Sequence, residues 1–296
     1  MTAVELIRAA LPISLACMVL ALGTRCALSD CVYLFRQPGL LVRSVLAMNV
    51  ALPIIAMAIA THTRLHPDVK IALIALAVSP VPPILPPRQL KLVTHESYVY
   101  GLLVATSAVS ILLVPMTMAL LGNVLGRELA VAPLLIARTV LVSVLAPLAL
   151  GMLIRYLWPR FALRVAPLVS ALASIVLLAS LALILVAGWR AFAALVGDGT
   201  LLVFAVVALL GLAIGHMFSG PDPDNRTVLA LACASRHPGV AIAIGAALFP
   251  SQKLVAAAVL LSLLVGTVIS VPYTAWRQRV HERAVHAQAA GVAPRH

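Results

Sequence analysis

Charge is scarce in this chain: Asp, Glu, Lys and Arg make up only 10% of its 296 residues, and the acidic ones number 9 against 21 Lys and Arg. So little charge, beside 63% hydrophobic residues and a mean hydropathy of +1.11, excludes a soluble globular domain. Cysteine is scarcer still. Cys17, Cys26, Cys31 and Cys233 lie in or beside apolar segments without metal-ligand spacing, so no metal is expected. They read as packing residues, with a Cys26–Cys31 disulfide as the alternative. No G-x-x-x-x-G-K-[ST] pattern is present, so direct ATP coupling within the chain is unsupported. An enzyme is not expected either, because there is no HExxH, no pair of aspartates within an apolar run and no Ser/His constellation. No cofactor is implied. The net charge of +12 comes without a basic stripe interleaved with aromatics, which argues against nucleic acid; Arg and Lys gathered in cytoplasmic loops explain it.

What the chain has in quantity is apolar sequence, in runs long enough to cross about 30 Å of hydrocarbon. Nine spans are expected, with cores near 4–23, 39–61, 68–87, 97–121, 130–157, 163–188, 199–218, 226–249 and 254–276. The fold class is an all-α polytopic membrane protein. The first run superficially resembles a signal peptide, but Glu5 interrupts the basic leader and no clean cleavage site follows, so it is read as a retained span. Most Arg and Lys, among them Arg25, Arg36, Arg155, Arg164, Arg226 and Arg277, fall on one side of this nine-span layout. That side is assigned to the interior, which places the N-terminus outside and the C-terminus in the cytoplasm of a cell (plasma or inner) membrane. Residues 1–280 form one transmembrane domain and 281–296 a polar, irregular tail. Connections this short leave no room for a soluble domain, so function must lie within the spans.

Two spans are interrupted. SPVPPILPPRQLK at 79–91 carries Pro80, Pro82, Pro83, Pro86 and Pro87, each lacking an N–H and disfavouring helix at the residue before it. The eighth span carries Arg236-His237-Pro238-Gly239. Non-helical backbone at membrane depth is tolerated where it is buried in protein or lines a cavity. Interrupted helices in both halves of a chain point to the binding site of a secondary transporter. The plainer alternative is a pair of kinks. Arg236 is costly at mid-span unless it meets a partner, a cavity or an interface, and His237 is either a proton carrier or a satisfied buried histidine.

Several stretches carry a family resemblance. LALGTRCALSDCVYLFRQPGLLVRSVLAMNVALP (20–53), the Pro-marked third segment, Pro115, LVSVLAPLALGMLIR (141–155) and NRTVLALACASRHPGVAIAIG (225–245) resemble the bile acid:sodium symporter family. The resemblance implies two inverted repeats, a panel and a core, with two discontinuous helices crossing near the midplane; relatives have nine or ten spans. It also exposes departures. Where sodium-coupled relatives carry Gly-Gly-Thr-x-Ser-Asn, this chain has Val81, Pro82, Pro83, Ile84, Leu85 and Pro86. Where they carry Glu followed by Gln-Asn-x-Gly, it has Ala232, then Arg236, His237 and Pro238 before Gly239. Met48 replaces a frequent glutamine. Sodium needs oxygen ligands, so the family's sodium sites are not expected here.

Arg236 is left with two roles. It is either an anchor for the anion or a permanent counter-charge replacing the ion, paired in the second case with Glu96 or with a row of backbone carbonyls. The candidate substrate or coupling residues are Arg236, His237, Pro238, Gly239, Ser235, Pro82, Pro83, Pro86, Pro87, Arg88, Gln89, Asn49 and Thr106. For Arg88 and Gln89 the alternative is an ordinary positive-inside loop, and for Asn49 and Thr106 a bond within or between helices. Asp222, Asp224 and Asn225 read as helix caps, His216 as an interface residue. The expected function is alternating-access transport of a small or amphipathic organic anion in the lipid bilayer, with a non-transporting binding or sensing protein as the alternative. Coupling ion, substrate identity and oligomeric state are left open.

Overall fold

A computed structural model describes residues 3–82, 90, 92–93, 96–125 and 129–289, and among these every regular element is a helix. In chain order they are α1 Ala3–Gly23, a single turn α2 Leu28–Cys31, α3 Pro38–His62, α4 Pro67–Val78, α5 Ser97–Leu125, α6 Pro133–Leu157, α7 Pro159–Ala187, α8 Trp189–Leu195, α9 Thr200–Phe218, α10 Pro223–Ala234, α11 Pro238–Leu248 and α12 Val255–Ala289. Proline opens half of these helices. α3, α4, α6, α7, α10 and α11 all open on one, where the missing N–H is no loss and the fixed φ already suits a helix.

Proline also deforms two helices from within. α3 widens to π geometry over Leu46–Ala51 just before Pro53, and α6 does so over Leu141–Leu145 just before Pro147. A proline inside a helix withholds one N–H and crowds the preceding turn, and the extra residue of a π turn relieves that crowding. Both bulges leave carbonyls in need of other donors.

Seven helical stretches among the described residues are long and apolar enough to cross a membrane, including Pro223–Leu248 taken through its break, and α1 supplies a shorter apolar segment at Pro12–Gly23. The protein is an integral multi-pass membrane protein. Burial separates the spans by role: 72% of the Pro223–Leu248 window is buried against 17% for α7, whose Leu168, Leu172, Ile175 and Leu178 face outward. α1 packs on α6 and α7, while α9 packs on α10, and α4 on α3, α11 and α12.

The two segments expected to be interrupted are so. The third, placed at 68–87, is helical from Pro67 to Val78, and Ser79 turns extended ahead of Pro80, with 83–87 outside the described residues. The eighth, placed at 226–249, is two helices separated by residues 235–237. The tail from 281 was expected to be irregular, yet α12 runs through it to Ala289. Its VHERAVHAQA sequence is free of Gly and Pro and rich in good helix formers.

Candidate functional site where the two breaks meet

The breaks at 79–82 and 235–237 touch directly: the His237 amide donates to the Pro80 carbonyl at 2.9 Å. α4 ends there because Ser79 leaves helical geometry, its hydroxyl folding back onto the Ala75 carbonyl at 2.7 Å. α10 ends at Ala234 and α11 restarts at Pro238 with His237 as its N-cap, Nδ1 accepting the Val240 amide at 3.3 Å. A Cβ at Gly239 would lie 3.1 Å from the His237 ring, so glycine leaves room for that cap.

Arg236 projects into the end of α4. Only 6% exposed, it donates from Nη1 to the Ser79 carbonyl at 2.9 Å, and from Nη2 to the Ala77 carbonyl at 2.9 Å and to the Met48 carbonyl. Each acceptor has a reason to be free. Ala77 and Ser79 lie at the negative, unpaired end of a helix. Met48 lies in the bulge of α3, where the π register assigns it the N–H of residue 53, a proline. A guanidinium supplies charge-assisted bonds to all three. Its Nε finds no partner among the described residues.

His237 turns the other way, onto the second bulge. Its Nε2 lies 3.1 Å from the Ser143 hydroxyl, which itself donates to the Thr139 carbonyl at 2.7 Å. With Nδ1 accepting from Val240 and the hydroxyl proton committed to Thr139, the ring proton belongs on Nε2. Two adjacent residues of the second break thus bind the end of α4 and both bulged helices.

Two cavities lie among the helices that meet here, the smaller against the junction and the larger toward the other end of α4. One of about 40 Å³ lies beside Arg236, against Leu73, Leu76, Phe204, Ser235 and Ser262, and has room for water but not for an organic anion. The other, about 250 Å³, lies between α3, α4, α5 and α11, where Met57, Ile74, Met118 and Phe249 form apolar walls and Thr61 and Gln252 add polar groups. Lys70 is the one charged residue among its described lining.

The sequence candidates divide accordingly. Arg236, His237, Pro238 and Gly239 form the junction, Ser235 lines the smaller cavity, and Pro82 is buried next to the first break. Asn49 is half-buried in the α3 bulge. Thr106 spends its hydroxyl on its own helix, at the Leu102 carbonyl 2.7 Å away. Pro83, Pro86, Pro87, Arg88 and Gln89 lie outside the described residues. Glu96 accepts from the Tyr100 hydroxyl at 3.2 Å, and the partners found for Arg236 are carbonyls. Asp222 caps α10 through the amides of Asp224 and Asn225, and His216 bonds Tyr273 of α12. Ser143 and Lys70 were not singled out from sequence. A hydroxyl four residues before a mid-span proline is the available signal for Ser143, whereas nothing local distinguishes Lys70 from a loop lysine.

A multi-pass helical membrane protein with two apposed broken helices is the class that fold and site define. Residues 12–195 match the Sodium Bile acid symporter family, and the chain belongs to it. The matched region contains the first break and ends before the second. No curated protein matches the chain.

Proposed function

We propose that this protein carries an amphipathic organic anion across the cell membrane by alternating access, and that Arg236 permanently occupies the place of a coupling cation. The observation that carries the reading is the set of three carbonyls, of Ala77, Ser79 and Met48, gathered on one guanidinium between the two breaks. Carbonyl oxygens at half-helix C-terminal ends are what a transporter of this type offers to sodium. Here a tethered cation satisfies them, so the junction keeps its charge balance without an ion from solution. An arginine held by three acceptors is poorly placed to anchor substrate as well. The anion is instead assigned to the 250 Å³ cavity, its apolar body against Met57, Ile74 and Phe249 and its charged group toward Lys70.

Nine spans, inverted repeats and a cytoplasmic C-terminus complete the proposal. Supporting the repeats, one bulged helix and one broken segment lie in the first half of the chain, and a second broken segment lies in the other, with α6 supplying the second bulge.

Uptake into proteoliposomes tests this, with taurocholate and an aliphatic carboxylate as probes. Uptake is expected to be the same with sodium or choline outside, and Lys70→Met is expected to raise the half-saturation concentration about tenfold, the equivalent of one lost charge-assisted contact. Uptake that vanishes without sodium overturns the role given to Arg236. Saturable binding without flux overturns transport itself.

A further inference from the structure

The connection between α1 and α3 holds a pair of thiols that neither the junction nor the cavities use. Cys26 and Cys31 are 2% and 7% exposed, and their Sγ atoms lie 3.1 Å apart. Cys31 also donates to the Met152 thioether of α6 at 3.7 Å. A disulfide needs an S–S separation of about 2.05 Å, so closing the pair requires roughly an ångström of movement in a short loop.

The two cysteines belong to differently anchored parts of the molecule. Cys26 directly follows α1, whose end is fixed to α6: a Cβ at Gly23 would meet the Leu148 backbone, and Arg155 donates to the Arg25 carbonyl at 2.7 Å. Cys31 closes α2, which is fixed to α5. There Ser97 donates to Asp30 at 2.7 Å, and a Cβ at Gly101 would come within 3.2 Å of the Asp30 carbonyl. Residues 24–30 therefore join the end of α1 to α2, while α5 and α6 also pack on each other and Cys31 reaches Met152 of α6.

We propose that Cys26 and Cys31 form a reversible disulfide that locks this link. The oxidant is a hydroperoxide. The Cys31 thiolate attacks one peroxide oxygen, the O–O bond breaks, and an alcohol leaves with Cys31 as sulfenic acid. Cys26 then attacks the sulfenic sulfur; the S–S bond forms, the S–O bond breaks, and water departs with the Cys26 proton. Two thiols and one hydroperoxide give one disulfide, one alcohol and one water. The hydrogen bond between the thiols favours this order, because it holds the Cys31 thiol below and the Cys26 thiol above the ordinary cysteine range, with burial adding to the rise at Cys26.

Treating the purified protein with hydrogen peroxide, then alkylating and mapping peptides, tests the site. Cys26 and Cys31 should lose alkylation together and regain it after dithiothreitol, while Cys17 and Cys233 stay reactive once the protein is denatured. In Cys26→Ser, peroxide should leave Cys31 as a sulfenic acid that dimedone traps. Persistent alkylation of both thiols in peroxide-treated protein that is still folded, judged by its unfolding midpoint, overturns the proposal. The mechanical consequence rests on the transport reading: oxidised protein should take up anion severalfold more slowly than reduced protein, with recovery on reduction. Equal uptake by the two forms overturns the lock. No uptake by the reduced form counts against transport alone, and the alkylation result still decides the disulfide.

Discussion

Replacing Arg236 with methionine should lower the thermal unfolding midpoint in detergent by on the order of 10 °C, corresponding to a loss of about 3–5 kcal/mol. The side chain touches three backbone carbonyls from two elements, and none of them has an alternative donor built into the local structure. Each carbonyl left unpaired in a dry interior costs about 1–3 kcal/mol. Removing a buried cation recovers part of this by ending its own desolvation, which is why the net loss is smaller than the sum of the three. Lysine at the same place carries the charge but lacks the planar fork, so Arg236→Lys should fall between wild type and methionine. A midpoint for Arg236→Met within two degrees or so of wild type would mean that water or a solution cation replaces the guanidinium. Repeating the melt with and without sodium separates those cases, because only a solution cation makes the midpoint rise with sodium concentration.

The second large effect is expected at Gly215. Gly211 and Gly215 form a G-x-x-x-G pair on α9 and lie against the backbone of α10. A Cβ at Gly215 would meet the Leu229 carbonyl and lie 2.5 Å from Cα and 2.6 Å from N of Ala230; at Gly211 it would lie 2.8 Å from the Cys233 carbonyl. These neighbours are backbone atoms and cannot rotate away, so a side chain must drive the helices apart. Gly215→Val should destabilise the protein by about 3 kcal/mol, at the upper end of what overpacking costs in a well-filled interior. It should also displace α10, and with it the Arg236 that follows α10. Anion uptake is therefore expected to fall more than stability alone accounts for, when wild type and variant are compared well below both midpoints. Normal uptake with a lowered midpoint would separate the α9–α10 contact from the junction.

The breaks were legible because proline and glycine act locally. Five prolines between 80 and 87 forbid a continuous helix whatever surrounds them, and Pro238-Gly239 restarts one. The cap at Asp222 was legible for the same reason, since its bonds run to amides two and three residues away. The bulges of α3 and α6 were not, because a π turn and a simple kink begin from the same mid-helix proline and packing selects between them. Ser143 was missed because its partner, His237, stands 94 positions further along the chain.

Composition and local chemistry were sufficient to establish a membrane protein of apolar helices, two of them broken, with Arg236 and His237 in the second break. Hydropathy depends on residue type and proline acts on its own turn, so neither needs a third dimension. The role of Arg236 required the assembled fold. Its acceptors lie 157, 159 and 188 residues away, and they became a cation-binding set only when the end of α4 and the bulge of α3 were packed against the second break. Sequence names the donor, but only packing can choose among the backbone carbonyls of 296 residues and gather three of them within reach of one guanidinium.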